Sequence, residues 1–485
     1  MENLVLGAQF PPASVEQWQS LVAKVLARSG VEVADAAGAV AALTSRTADG
    51  LKIAPLYTDV TPAAAPATGA PGAAPFTRGR TAAGNRTGWD VRAHIADPDP
   101  KLAAEQLLED LEGGASSVWL SIGPAGTAVA DIPAVLSEVL LDVAGVSLDS
   151  GGEGAAAAEQ FLGAATARGF GGHVLSGCLG IDPVGTLARS GDSAAAQALR
   201  AELGKLAPRV ATAWPNLRTA AVDGLAYNDA GAADAQELGL ALAAGVATLR
   251  TLTEAGLDVA TALGQLEFRL AATADQFTTI AKLRAARRTW ARVAAVCGET
   301  GPAAGQFQHV VTAWPMTTRH DPWNNMLRTT LACFAACVGG ADAITVRPFD
   351  AALGRSDTLA RRIARNTPTL LVEEAHMTAV VDPAGGSWYV EALTEAMAQA
   401  AWDVFTEVES GGGIVAALDS GWVADHLAAT REARLADLAA GEAAIVGVTK
   451  FPVADERLLD RHTLPEPVGG GLPRIRWEAE LEKKS

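Results

Sequence analysis

Four cysteines in 485 residues, Cys178, Cys297, Cys333 and Cys337, form no Cys-x-x-Cys pair and no dense even framework. That excludes a disulfide-stapled secreted scaffold, and all four are expected as reduced core thiols of a cytoplasmic protein. Positive charge is also short: 38 Lys and Arg against 55 Asp and Glu leave a formal charge of −17. Such a chain repels phosphate backbones and anionic lipid, so neither nucleic acid nor a membrane is expected as a partner. Charges and glycines interrupt every long apolar segment well before bilayer-spanning length. The opening residues, with Glu2 and then Pro11, have neither the basic nor the hydrophobic region of a signal peptide. No G-x-G-x-x-G follows an early strand and no G-x-x-x-x-G-K-[ST] occurs, so the usual nucleotide-binding fingerprints are missing. The seven histidines, His94, His173, His309, His320, His376, His426 and His462, never form H-x-H or H-E-x-x-H, which argues against a metal-dependent barrel hydrolase.

What is present is a rhythm. Ser14 is a candidate cap for a helix pair or one long helix over 14–48, with Val15, Trp18, Leu21, Val22, Val25 and Leu26 at helical spacing. From Ala54 to Gly84 the pattern dissolves into Pro, Gly, Ala and Thr, as in an extended or linker-like arm. After Trp89, short β-type runs alternate with Ala-rich helical stretches: SSVWLSIG, VSLDSGG, GGHVLSGCLG, LRTAAVDGLA, LGQLEFRLAA, QHVVTAWP and DAITVRPFD, with helices over 101–112, 154–168, 192–206, 233–254, 275–296, 322–338 and 357–374. Seven βα repeats in roughly 300 residues fit an α/β protein with a closed (β/α)₈ barrel, the eighth unit unassigned. From residue 388 the pattern is helical, broken at Gly411-Gly412-Gly413, with further helices to 419 and over 424–440. The tail from Pro452 reads as an exposed end or linker. The implied division is 1–85 for the N-terminal helix and arm, 86–400 for the barrel, and 401–485 for the C-terminal helices and tail.

Several polar constellations have both a functional and a bland reading. His309 and His320 flank a strand-like run and could reach a barrel mouth, although a hydrogen-bonded loop histidine is the commoner outcome. Cys333 and Cys337 share a helical face, but burial as small hydrophobes outweighs metal or disulfide chemistry. In DPWNNMLRTT, Asp321 reads as an N-cap with Pro322 at the first helical position, aiming a helix start at the barrel mouth. Asn324 and Asn325 follow, and a buried unpaired amide costs about 1–3 kcal/mol, so both demand partners. Arg361, Arg362 and Arg365 with Asn366 lie along one helix, where a solvated or salt-bridged face is the ordinary reading. Arg78, Arg80, Arg86 and Arg92 decorate the arm and barrel entry, either to clamp an anionic ligand or to sit in solvent.

Taken together, PFTRG (75–79), RTGWDVR (86–92), KLRAARRTWARV (282–293), DPWNNMLRTT (321–330), RIARNT (362–367), DPAGGSWYVE (382–391) and GVTKFP (447–452) resemble, in order and spacing, the acyl-CoA-binding barrel of the cobalamin-dependent methylmalonyl-CoA mutases. The GWDVR version is similar to the small chain of the heterodimeric bacterial members. The resemblance implies a barrel whose axis takes the CoA arm. It also implies radical chemistry initiated by adenosylcobalamin, with succinyl-CoA and (R)-methylmalonyl-CoA interconverted, and a C-terminal α/β domain carrying the cobalamin through a D-x-H-x-x-G histidine.

Two departures shape what this chain is expected to do. Where the family's catalytic chains have G-Y-H-M-x-E-A-G-A, this sequence has Gly224-Leu225-Ala226-Tyr227-Asn228-Asp229-Ala230-Gly231-Ala232, so Leu225 and Ala226 occupy the Tyr-His positions. A methyl group cannot donate a hydrogen bond to the reacting carbonyl, and loss of one such donor typically costs about 10²–10³ in rate. Arg92 is followed by Ala93 and His94 rather than a tyrosine, and Ala83-Gly84-Asn85 replaces the T-M-Y that secures CoA. Asp460-Arg461-His462-Thr463-Leu464-Pro465 has Asp-x-His but Pro where Gly is required, with only 20 residues after it.

The expectation is therefore a noncatalytic small subunit, or its barrel portion, in a heterodimer with a large catalytic mutase subunit. It has no catalytic residue, binds no metal or cofactor of its own, and retains at most residual CoA binding. Arg78, Arg92, Asp321, Asn324, Asn325, Arg328, Arg365 and Asn366 are the structural or interface candidates. The rival expectation is an active acyl-CoA mutase of altered specificity that works with a separate cobalamin-binding chain and uses Tyr227 or Asn228 in place of the histidine.

Overall fold

The computed structural model describes residues 13–58, 68–467 and 469–484. The signal-peptide reading of the first residues and part of the Pro/Ala arm fall outside them. The chain forms two compact units, Met1–Ala64 and Ala65–Ser485. In the first, the 14–48 segment is a helix pair. Val15–Arg28 is started by a Ser14/Gln17 capping box, and Ala36–Leu43 by the Asp35 side chain.

In the second unit eight parallel strands close on themselves: β1 Asp90–Ile95, β2 Ser117–Ser121, β3 Gly145–Asp149, β4 Gly177–Ile181, β5 Leu217–Asp223, β6 Leu266–Ala272, β7 Gln308–Thr312 and β8 Ala343–Thr345. The eighth repeat is thus the first in the chain, the DVRAHI run that begins at the end of the RTGWDVR motif. It pairs with β2 through Arg92↔Ser117 and closes the barrel on β8 through Ala343↔Asp90. Its Asp-x-Arg-x-His alternation conceals it from a search for apolar runs, because every second residue faces the lumen and is polar.

Helices wrap the outside, and their starts are written in aspartate. Asp99, Asp182, Asp192, Asp258, Asp275 and Asp357 each accept from a backbone N–H of the first turn. Between β4 and β5 the register shifts at Gly180, whose φ is +68° and where a Cβ would lie 1.8 Å from the Leu148 carbonyl oxygen. Only glycine fits there, and the Leu148 carbonyl is taken instead by Arg269 from β6 at 2.7 Å.

Two segments read as loose from sequence are anchored. Phe76 and Thr77 of the arm are buried, and their carbonyls accept from the Arg287 guanidinium, each at 3.1 Å. The tail, largely exposed from Pro452 onward, is anchored near its end. Leu472 and Ile475 donate through their amides to Ala188 and Asp229, Trp477 donates to Pro315, and Ile475 and Trp477 bury their side chains beside Leu435 and Leu438 of the helix Trp422–Ala440. Isolated apolar residues in a polar tail thus carry enough buried area to dock it across the C-terminal ends of the strands. No helix among the described residues is long and apolar enough to cross a membrane. Cys178, Cys333 and Cys337 are buried free thiols, whereas Cys297, expected in the core, is exposed after the helix Gln276–Val296 ends.

Candidate functional site

In a (β/α)₈ barrel the side chains of alternate strand residues fill the lumen, and chemistry sits at the C-terminal mouth. Here the lumen is crossed by charge. Arg92 of β1 donates from Nη1 to Glu267 Oε2 of β6 at 2.9 Å, and from Nη2 and Nε to Asp90 Oδ2 and from Nε to Ser117 Oγ, at 2.9–3.2 Å. Glu267 Oε1 lies 3.5 Å from Arg269 Nε and 3.6 Å from His309 Nδ1. His309 Nε2 is 2.8 Å from Thr345 Oγ1. Against the upward push of burial, Arg92, His309 and Arg269 hold the Glu267 carboxyl well below its usual range. Burial, aided by Arg92, pushes the His309 imidazole down to about 4, and burial with Arg347 and Arg474 holds His94 well below its ordinary value. Both rings are therefore neutral near pH 7.

Trp119 of β2 sits on this network. It stacks on His94 at 4.3 Å between ring centroids, meets His309 edge-on at 5.2 Å and lies beneath the Arg269 guanidinium at 5.2 Å. One layer nearer the mouth, Trp119, Leu225, Ala271, Val311 and Ala313 form a dry cluster with Met316 packed against it. Arg92, Trp119, Leu225, Glu267, Arg269 and His309 are all at most 4 % exposed. At the rim Arg189 pairs with Asp223 at 2.5 Å, Asp182 is pushed up to about 7 by burial and Asp223, and Arg474 of the tail stacks on Trp314 at 3.8 Å.

The short helix Leu225–Asp229 directly follows β5. Leu225 joins the apolar cluster, and Ala226 is 3 % exposed with no polar atom to offer. Asn228 donates to Glu237 Oε2 at 3.1 Å, alongside the Lys282 ammonium, in the helical layer. Tyr227 is buried, and burial with Asp182 and Asp223 pushes its phenol upward.

The remaining candidates do not converge on one site. Asn325 is fully buried: it accepts from Thr318 N and Arg328 Nη1 and donates to the carbonyls of Thr318 and Phe349, at 2.7–3.1 Å. Arg328 also donates to the Val446 carbonyl at 2.6 Å. Asp321 is not the N-cap. The helix runs Asn324–Val338, with Trp323 at the cap, and Asp321 has φ 44°, its amide held by Glu456 and its carboxylate by Asn324 Nδ2. That turn spends its polar groups internally, so the helix start is not presented to a ligand. Arg78 and Arg284 both bind Asp382, at 3.0 and 2.7 Å. Arg365 pairs with Asp110 at 2.6 Å, Arg361 pairs with Glu109, and Asn366 is exposed. Arg80 pairs with Asp342 and Arg86 is exposed. His320 lies outside the lumen, its Nδ1 2.9 Å from Glu456 Oε2. Asp460–Pro465 is a brace: Arg461 binds Asp350 and Asp357, each at 2.6 Å, and the His462 carbonyl accepts from Arg355 N.

The lumen residues Trp119, Glu267 and Arg269 were missed by motif reading. Their signal was the period-two spacing of polar residues, Asp90-x-Arg92-x-His94, Ser117-x-Trp119-x-Ser121 and Glu267-x-Arg269, which places each set on one face of its strand.

A closed parallel barrel with a cross-linked lumen and a docked C-terminal strap defines a (β/α)₈-barrel protein. The family model described as methylmalonyl-CoA mutase matches residues 117–467, and the chain belongs to that family. It is 51 % identical over 484 residues to the methylmalonyl-CoA mutase small subunit of Streptomyces virginiae, covering 99 % of this chain and 77 % of that protein. It is 39 % identical over 485 residues to the small subunit from Propionibacterium freudenreichii subsp. shermanii, covering 99 % and 75 %. To the Escherichia coli methylmalonyl-CoA mutase it is 27 % identical over 472 residues, covering 92 % and 65 %.

Proposed function

We propose that this chain is the noncatalytic small subunit, or its barrel portion, of a heterodimeric methylmalonyl-CoA mutase. In this reading it supports a large subunit that interconverts succinyl-CoA and methylmalonyl-CoA by a cobalamin radical mechanism. The observation that carries the reading is the filled axis. Arg92, Glu267, Arg269, His309 and Trp119 occupy the lumen where a CoA arm would pass, and Leu225 seals the layer above them. Opening that path would separate buried ion pairs, and breaking one such pair costs about 3–5 kcal/mol. At the end of the path Ala226 has no donor for a developing oxyanion.

Adenosylcobalamin belongs to the holoenzyme in this reading. The residues described here do not fit it: the Asp460-x-His462 segment is committed to bracing the barrel through Arg461, and the tail covers the mouth through Ile475 and Trp477. No step of the rearrangement is assigned to this chain. The names of the relatives at 51 % and 39 % identity support the small-subunit reading, and a partner large subunit follows from it.

The test is to purify the chain alone and with a large mutase subunit, add adenosylcobalamin and assay succinyl-CoA rearrangement. Turnover only in the complex is expected. Turnover by this chain alone would overturn the proposal.

A further inference from the structure

Most arginines around the C-terminal mouth of the barrel have carboxylates. Arg189 reaches Asp223 at 2.5 Å and Asp229 at 3.8 Å, Arg269 reaches Asp149 at 3.5 Å, and Arg474 of the tail reaches Asp229 at 3.4 Å. Arg347 is the exception. It stands two residues beyond β8 and is 7 % exposed, yet it forms no ion pair among the described residues. Its backbone amide and Nε are spent on Thr312, the last residue of β7: the amide donates to Oγ1 at 2.8 Å and Nε to the carbonyl at 3.0 Å. Those bonds fix the stem and leave Nη1 and Nη2 without a hydrogen-bond partner among the described residues. A buried cation is ordinarily paired, because the hydration it gives up is otherwise uncompensated. Burial, opposed by Asp229 and reinforced by Arg474 and Arg189, brings the Arg347 guanidinium down to about 10.

The free end of Arg347 shares its surroundings with Arg474. Their Cζ atoms lie 5.8 and 3.8 Å from the centre of one Trp314 ring, so they are at most about 10 Å apart. Two guanidinium forks that grip one oxyanion bring their central carbons to within roughly 8 Å, a separation this limit allows. After burial, the same two arginines hold the His94 imidazole low, so both charges bear on the top of the lumen. The dry cluster of Trp119, Leu225 and Val311 closes the lumen below, which restricts any ligand to a single head group. We propose that Arg347 and Arg474 form a binding site for a small oxyanion, a phosphate or carboxylate group, at the mouth of the barrel. The inference goes beyond the small-subunit reading and does not depend on it. Asp223 and Asp229 oppose an anion here, but both already serve Arg189, and Asp182, pushed up to about 7, carries only part of a charge at neutral pH. Arg347 belongs to the barrel and Arg474 to the tail, where Leu472 and Ile475 donate through their amides to Ala188 and Asp229. An anion held between them therefore also fastens the tail across the mouth.

The experiment titrates the full chain with inorganic phosphate and, separately, with acetate, by calorimetry at constant chloride. Saturable binding of one ion per chain is expected, with phosphate the tighter because it brings more charge to two guanidinium forks. Arg347→Met and Arg474→Gln are each expected to weaken it roughly 10-fold or more, and Arg86→Gln, at an exposed arginine of the arm, to leave it unchanged. Phosphate is expected to raise the melting temperature of the parent chain and slow deuterium exchange over residues 470–484, and to do neither in Arg347→Met. Each chain is compared with itself, with and without the ion, so a variant of lower intrinsic stability still gives a reading. Arg474→Gln, at a side chain 28 % exposed, keeps the test open should Arg347→Met fold poorly. Acetate binding more tightly than phosphate, with the same dependence on Arg347, supports the site and assigns it to carboxylates. No saturable binding to the parent chain, or binding that survives both substitutions, overturns the inference and leaves the small-subunit reading untouched.

Discussion

Arg92 and Glu267 stand on strands that are not neighbours, β1 and β6, yet their side chains meet at 2.9 Å across the lumen. The pair is buried on both sides, at 2 and 0 % side-chain exposure, so it is insulated from solvent and salt. Arg92→Ala removes one partner and leaves a carboxylate in a dry interior. A loss of about 3–5 kcal/mol is expected in urea unfolding. Arg92→Met combined with Glu267→Gln is expected to lose less than the sum of the single changes, and a double-mutant cycle reads the coupling directly.

Protonation of His309 supplies an acid-side dependence. Its folded-state value, about 4, lies below the ordinary 6.5, so between those values the unfolded chain binds a proton that the folded chain excludes. Stability from this group is complete above about pH 6.5 and is lost as pH falls toward 4. Asp182, pushed up to about 7, works the other way over an overlapping range, so the total slope does not isolate His309. The difference between the parent chain and His309→Gln does. Denaturant midpoints from pH 7 to 4 are expected to fall more steeply for the parent, by up to one proton's worth of slope.

Restoring the family's pair, Leu225→Tyr with Ala226→His, is expected to yield no turnover of succinyl-CoA by the isolated chain. Leu225 lies in the close-packed cluster with Trp119 and Ala226 is buried beside it in the chain, and enlarging them should cost about 1–3 kcal/mol through overpacking. Activity assays with adenosylcobalamin and thermal melts check the two halves of this expectation. Calorimetric titration of the parent chain with CoA is expected to show no binding in the lumen.

Asn324 and Asn325 are adjacent in sequence and should differ sharply in consequence. Asn325→Ala strands the Thr318 amide, two carbonyls and Arg328 in a buried setting, for about 2–4 kcal/mol. Asn324→Ala loses a half-buried contact to Asp321, for about 1 kcal/mol or less. Chemical denaturation of the two single variants measures the contrast.

The βα rhythm was legible because helix-capping aspartates and apolar strands are local signals, and seven of the eight strands stand where that rhythm puts them. β1 was hidden by its own lumen-facing charges. The substitution at Ala226 could be read from spacing within one motif. What fills the lumen could not, because Arg92, Trp119, Glu267 and Arg269 come from three strands and acquire partners only when the barrel closes. The tail failed for a similar reason: Ile475 and Trp477 look like stray apolar residues until Leu435 and Leu438 are brought beside them. The polar motif residues misled in the opposite sense, since buried amides such as Asn325 and exposed ones such as Asn366 look alike in sequence.

The carbonyl of Leu148, left out of the β3–β4 ladder by the bulge at Gly180 and claimed by Arg269, ties the wall of the barrel to its contents. Strand and lumen must then open together. Backbone amides of β3, β4 and β6 should exchange with solvent deuterium only through whole-barrel unfolding, so that wall and lumen behave as one stiff unit.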